Sequence, residues 1–472
     1  MTALWTSDEI VAATGGTLHG AAFEVGGVTF DSREVEHGWL FVAMPGTVAD
    51  GHDFVPKAFA AGAAAALVSR PIEGAHVLVS DVARALTDLA IAARKRMAGT
   101  VIGVTGSVGK TSTKEALYVA LERFAKGKVH RSVKSYNNHT GVPLSLARMP
   151  WTSEFAVLEM GMNAKGEIAA LTRLVRPHVA MITTLASAHI EHLGSMEAIA
   201  DAKAEIFEGL EPEGIAIIPE DTPWRDRLVK AARRKADRTI TFGHGDADVT
   251  ALHAVRSEHG GSLVTARLME SELTYTIAQR GDHWVTNSLA VLAAVEAVGA
   301  DLAIAGLALA DMGGLKGRGE RHQLEISGED GSVGHYLLID ESYNANPASM
   351  AATLKALGEE RDAERRIAVL GPMRELGEHA DELHAGLAPA VREAKVDHLI
   401  LVGDDMRPLE DALSGAVAVD RARDVAEATD LLARLIHPGD AVLVKASNSI
   451  GLAKLVERMA GGLQMAHADK EP

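Results

Sequence analysis

The stretch Val101–Leu117, "VIGVTGSVGKTSTKEAL", constrains this chain more than any other. An apolar run, a glycine-bearing turn and then helical periodicity read as strand, tight turn and helix. Such a unit belongs to a parallel sheet, because the helix carries the chain back over the sheet face. A phosphate-binding loop follows the pattern Gly, four residues, Gly-Lys-[Ser/Thr]. Here Gly109-Lys110-Thr111 ends that pattern, but the first glycine falls on Val104, and the glycines present are Gly103 and Gly106. Free N–H groups at the helix start and the helix dipole still favour an anion there. Thr105, Gly106, Ser107, Val108, Gly109, Lys110, Thr111 and Ser112 are therefore the candidate phosphate ligands. Lys110 is expected to reach the β and γ phosphates, and Thr111 to place its hydroxyl on Mg²⁺. A bare glycine-rich turn leaves Gly-Lys-Thr unexplained.

The pattern around this unit divides the chain of 472 residues into three expected domains, 1–97, 98–315 and 316–472. The first mixes short strands ("GGVTFDSREV", "GWLFVAM", "AHVLVSD") with Ala-rich stretches such as "FVPKAFAAGAAAALVS" that read as helix. In the second, "EFAVLEMG", "HVAMITTL" and "GIAIIP" read as strands separated by helices. That alternation predicts parallel βαβ units, interrupted by a β-rich patch at "DVTALHAVRSEHGGSLVTARLMESELTYTIA". In the third, "HYLLIDESYNANP", "RRIAVLGPM", "DHLILVG" and "DAVLVKAS" restart the alternation as a Rossmann-like sheet. The expected class is α/β, with a central phosphate-loop ATPase-type domain.

Composition removes other classes. With no cysteine, disulfides and thiolate metal sites are excluded. A net charge of −17 argues against a nucleic-acid coat or an anionic membrane surface. The longest apolar run, "AFAAGAAAALV", is too short for a bilayer, so no membrane insertion is expected. The start "MTALWTSDEI" lacks the basic region of a signal peptide. A cytoplasmic monomer is expected.

A nucleotide loop of this kind needs a carboxylate at a neighbouring strand end to hold magnesium. Glu159, at the end of "FAVLE", fits that need. His189, in "LASAHIEHLGS", and Lys203, in "DAKAEIF", read by themselves as a solvated histidine and a surface lysine.

The loop "TGSVGKTS" resembles that of the Mur ligase family, ATP-dependent amide-bond ligases that build the peptidoglycan stem peptide. In that family Thr-Gly-[Ser/Thr]-x-Gly-Lys-Thr replaces the stricter spacing. "AHIEHLGSMEAIADAKAEIFEGL" is similar to the family stretch in which the histidine, here His189, faces a second magnesium. The resemblance implies that Lys203 is carbamylated. A neutral amine beside a cation is favoured over an ammonium; it reacts with CO₂, and the resulting anion offers oxygen ligands. The resemblance further assigns Asn287, in "GDHWVTNSLA", to the adenine region. Arg318, in "LKGRGERHQLE", would reach the ATP phosphates from the last domain, and Asp340 the ribose.

Further resemblances bear on the substrates. "DESYNANPASM" and "VLGPMRELGEHADELH" look like members that add D-alanyl-D-alanine to UDP-N-acetylmuramoyl-tripeptide. Tyr343, Asn344 and Asn346 are then expected at the dipeptide pocket. "FDSREVEHGW" resembles the uridine-nucleotide segment, with Ser32 and Arg33 near UDP. "SYNNHTGVPLSL" places Asn137 and Asn138 near the substrate. The catalytic set expected is Lys110, His189, Lys203 and Arg318, with Thr111, Glu159, His189 and Lys203 around the metals. A folate polyglutamate-type ligase and a nucleotide-binding regulator without catalysis are the alternative readings.

Overall fold

The computed structural model describes residues 3–46, 49–186, 190–257, 260–327 and 333–461. Its described strands form three main sheets, in chain order, and a small two-stranded one. The central sheet has nine strands. Thr100–Thr105 is an interior strand, third from one edge, between Phe155–Glu159 and Val179–Ile182, and pairs parallel with both. Ile215–Pro219 and Arg238–Gly243 continue the parallel order. The β-rich patch closes the sheet with antiparallel pairing through Val249–Arg256, Ser262–Arg267 and Glu272–Ile277.

The parallel strands read as continuous apolar runs because both faces are covered. Ile102, Val104, Val157, Met181 and Ile217 face one layer with Leu117 and Leu121 of the helix Lys110–Phe124, and with the helix Asp282–Ala297. Val101, Ala156, Leu158, Ala180 and Ile218 face the other, with Ile168, Leu171 and Phe207. Burying a leucine such as Leu117 stabilises the layer by about 1.5–3 kcal/mol.

The first domain's five-stranded sheet runs Thr17–His19, His76–Leu78, Ala65–Val68, Leu40–Val42, Val28–Thr29. Here one expectation is corrected. The Ala-rich stretch is helical only over Val55–Ala60; Ala65–Val68 is an interior strand, parallel to both neighbours. All four residues are buried, Ala65 and Leu67 into one core and Ala66 and Val68 into another. Two-sided burial outweighs alanine's helix preference.

The last sheet has six strands, in the order Glu320–Ser327, Val333–Glu341, Asp440–Lys445, Arg365–Leu370, His398–Val402, Ala418–Ala422. Only the first pair is antiparallel. The residues just after Arg318 form the edge strand Glu320–Ser327. This sheet docks on the central one through ion pairs. Glu360 accepts from Arg280 of the central unit at 2.6 Å, and Lys355 meets Asp282 of that unit at 2.6 Å.

Candidate active site

The strand Thr100–Thr105 delivers the chain into the loop Gly106–Gly109, and the helix begins at Lys110. Gly106 has φ +148°, and a Cβ there would lie 2.0 Å from the Thr183 hydroxyl oxygen. Only glycine passes. Gly109 has φ +85° and lies against Asn287, whose Oδ1 would be 3.0 Å from an added Cβ. The loop is pinned to the neighbouring strand end: Ser107 N–H donates to Thr184 O at 2.7 Å, and the Thr183 hydroxyl donates to Val108 O at 2.6 Å. The Thr105 hydroxyl donates to Met160 O at 2.8 Å. The turn therefore keeps its shape although the glycine spacing is irregular.

Lys110 Nζ curls back onto the carbonyl of Gly106 at 2.8 Å. Enclosure by protein pushes this ammonium's pKa down, the Glu159 carboxylate pushes it up, and Arg318 pushes it down. A phosphate would relieve the enclosed charge. The Thr111 hydroxyl donates to Glu159 Oε2 at 2.9 Å, and Asn137 Nδ2 donates to Oε1 at 2.7 Å. The Glu159 N–H donates to Ser132 Oγ at 2.8 Å. Glu159 is 1 % exposed, so a buried carboxylate stands beside a loop hydroxyl, and no cation among the described residues is hydrogen-bonded to it. A hard divalent cation fits that pair.

Lys203, in the helix Met196–Ala204, is fully buried and its Nζ has no hydrogen-bond partner among the described residues. Burial first, and then the nearby Lys110, hold its pKa well below the usual lysine range, against the pull of Glu159, Glu205 and Glu167. Burying a lysine amine without an acceptor is unfavourable, so this position calls for a partner that the described residues do not supply. His189 lies outside the described residues.

From the last domain, the turn Leu315–Gly319 brings Arg318 over the Tyr343 ring, 4.4 Å from its centroid. Asp340 organises this turn. Its Oδ2 accepts from Gly317 N–H at 2.9 Å and its Oδ1 from Ser342 N–H at 3.0 Å. At 1 % exposure it faces the protein rather than an open cleft. Lys445, also buried, donates to the Asn344 carbonyl at 3.0 Å and to Glu341 at 3.3 Å. A cavity of about 410 Å³ opens between the two domains, lined by Gln279, His283, Trp284, Glu341 and Thr353 among others. His283 is one turn before Asn287 on the same helix, and burial lowers its pKa, favouring the neutral ring.

Other expected residues are placed differently. The Asn346 side chain accepts from Ser349 N–H at 2.9 Å and caps the helix Pro347–Gly358. Asn344 Oδ1 accepts from Ala345 N–H at 2.9 Å. Asn138 Oδ1 accepts from Gly141 N–H at 2.9 Å, at the start of the helix Gly141–Ala147. Asn137 turns toward Glu159. Ser32 is buried, whereas the Arg33 side chain is largely exposed and pairs with Asp31 at 2.6 Å, lowering the Asp31 pKa to about 2. Ser132 and Thr183 left no sequence signal; His283 did, four residues before Asn287 on one helix face.

A phosphate loop with a strand-end carboxylate, facing an arginine from a following α/β domain, defines a nucleotide-dependent enzyme with its site between domains. Residues 24–98 match the Mur ligase family catalytic domain, 104–295 the Mur ligase middle domain, and 324–448 the Mur ligase glutamate ligase domain. The UDP-N-acetylmuramoyl-tripeptide–D-alanyl-D-alanine ligase of Bacillus subtilis is 35 % identical over 96 % of this chain and 97 % of its own. That of Escherichia coli is 34 % identical over 96 % and 98 %. The crystal structure of MurF from Acinetobacter baumannii superimposes with a TM-score of 0.81, at 30 % identity over 97 % of this chain and 99 % of that one. The Thermotoga maritima MurF ligase in complex with ADP gives 0.74, at 28 % identity over 92 % and 97 %. The chain belongs to the Mur ligase family.

Proposed function

We propose that this chain is an ATP-dependent amide-bond ligase that adds D-alanyl-D-alanine to UDP-N-acetylmuramoyl-tripeptide during peptidoglycan precursor synthesis. The observation that carries the chemistry is the convergence of Lys110, the Thr111–Glu159 pair and Arg318 on one loop. Full-length relatives bearing that name supply the substrates.

The loop N–H groups and the helix dipole hold the phosphates. Lys110 leaves the Gly106 carbonyl to meet the transferring phosphoryl group. Thr111 and Glu159 would hold Mg²⁺, with Asn137 keeping the carboxylate oriented; when bound, magnesium would neutralise charge on the phosphates. The tripeptide's terminal carboxylate attacks the γ phosphorus and ADP leaves, giving an acyl phosphate. The dipeptide amine then attacks the acyl carbon, phosphate leaves, and the amine proton passes to solvent. Arg318 adds positive charge from the last domain, so docking of that domain completes the site.

Lys203 as a carbamate would turn a buried orphan amine into an anionic oxygen donor, with His189 serving the same second metal. A ¹³C carbamate resonance after labelling with bicarbonate, lost in Lys203→Ala, tests this. Adenine would occupy the cavity beside His283 and Asn287. Ser32 and Arg33 lie on the segment proposed for UDP, with Asn137 and Asn138 between it and the metal; Tyr343 and Asn344 lie on the segment proposed for the dipeptide. The units are 1–97, 98–315 and 316–472. Among the described residues no helix is long and apolar enough to cross a membrane, and a cytoplasmic monomer is proposed.

Phosphate release tests the substrate assignment. Sustained turnover is expected only with ATP, UDP-N-acetylmuramoyl-tripeptide and D-Ala-D-Ala together. Turnover with glutamate and a folate would point instead to the polyglutamate type, and none with any amine to a regulator.

A further inference from the structure

We infer that Lys114 is a positioning residue for the magnesium–phosphate site and acts through the segment Ser132–Asn137. The inference rests on the reading of Thr111 and Glu159 as the metal pair.

Lys114 follows Lys110 by one helical turn, on the same face of the helix Lys110–Phe124. Its exposure is 0 %, so it does not reach solvent or an open phosphate site. Burying an ammonium is unfavourable unless acceptors surround it. Lys114 Nζ donates to the Lys134 carbonyl at 2.5 Å, lies 3.4 Å from the Ser132 carbonyl, and meets Glu115 at 2.8 Å. Arg131, just before the segment, meets the same Glu115 at 2.5 Å.

The segment held in this way carries three side chains aimed at the metal pair. Ser132 Oγ accepts from the Glu159 N–H, and Asn137 Nδ2 donates to its carboxylate at 2.7 Å. Ser135 Oγ lies 3.3 Å from the Thr111 hydroxyl. Between them Lys134 adopts φ +49°, a left-handed conformation costly for a residue with a Cβ. That residue's carbonyl is the one bonded to Lys114, so the buried ammonium holds the strained turn. On its outer side the segment is tied to the first domain, where Glu34 accepts from Lys134 and from the Tyr136 hydroxyl. Without Lys114 the turn can relax, and Asn137 and Ser135 lose their aim although no ligand contact is removed.

The test is the affinity of the full-length protein for ADP by calorimetry, with Mg²⁺ and with EDTA. Lys114→Met is expected to lose tenfold or more of its affinity with Mg²⁺ and less than twofold in EDTA. Ser135→Ala, which deletes one hydroxyl, is expected to lose at least threefold with Mg²⁺ only. Equal losses in both buffers, or none, would overturn the inference. Should Lys114→Met not fold, Ser135→Ala decides by the same criterion. Wild-type affinity that ignores Mg²⁺ would overturn the metal pair itself, a different outcome from a magnesium-responsive wild type with unaffected variants.

Discussion

Thr111 and Glu159 are 48 positions apart in sequence and bonded at 2.9 Å in the fold. One lies in the first turn of the phosphate-loop helix and the other ends the adjacent strand. Parallel pairing of Phe155–Glu159 with Thr100–Thr105 brings them together, since Glu159 is in register with Val104. The sheet's register thus builds the metal pair, at the strand ends where open α/β sheets bind ligands.

Glu159→Gln keeps the size of the side chain and removes its charge. Turnover is expected to fall about a hundredfold or more, roughly 2.7 kcal/mol of lost transition-state stabilisation. Steady-state kinetics over a magnesium titration measures this. Loss of less than about tenfold, with an unchanged magnesium requirement, would put the metal elsewhere.

Asn346 is 5 % exposed and caps the helix Pro347–Gly358 through Ser349. Asn346→Ala is expected to cost about 1 kcal/mol of stability, and Asn346→Ser to restore most of it, because serine also caps. Denaturant melts of the two variants decide. Equal stability of Ala and Asn at this position would remove the capping role and favour a direct role at the dipeptide.

His130 lies on the strand Val129–Arg131, and its Nε2 is 2.7 Å from the Ser145 carbonyl. Burial lowers its pKa to about 4, helped by Arg148 and Arg131 and opposed by the Ser145 bond. In the unfolded chain the ring takes up a proton near pH 6.5. Between these values the unfolded state binds more protons, so stability is present above pH 6.5 and is lost as pH falls toward 4. The loss attributable to this ring is on the order of 3 kcal/mol. His130→Gln should flatten the fall in stability from pH 6.5 to 4 relative to wild type. Parallel curves would exclude His130 as a source.

Much of this arrangement was legible in the residues. Val101–Leu117 announced strand, loop and helix, and the runs ending at Glu159 and Asp340 announced strand ends where ligands gather. Local pattern failed where tertiary context decides. Ala65–Val68 is a strand because two cores enclose it. Asn138 and Asn346 carry the residue type of a ligand, and the structure uses their oxygens as caps. Asp340 faces the turn that carries Arg318. Lys203 reads as a surface lysine, since burial of a long cationic side chain leaves no periodic trace; it and Lys114 are both 0 % exposed.

The central claim is that the loop passes phosphate to a carboxylate rather than to water. With the tripeptide's terminal carboxylate labelled with ¹⁸O, mass spectrometry of the phosphate released in a complete reaction tests it directly. One carboxylate oxygen should appear in each phosphate, because the acyl phosphate breaks between that oxygen and the acyl carbon. Phosphate free of ¹⁸O would mean that water takes the phosphoryl group, and would contradict the account.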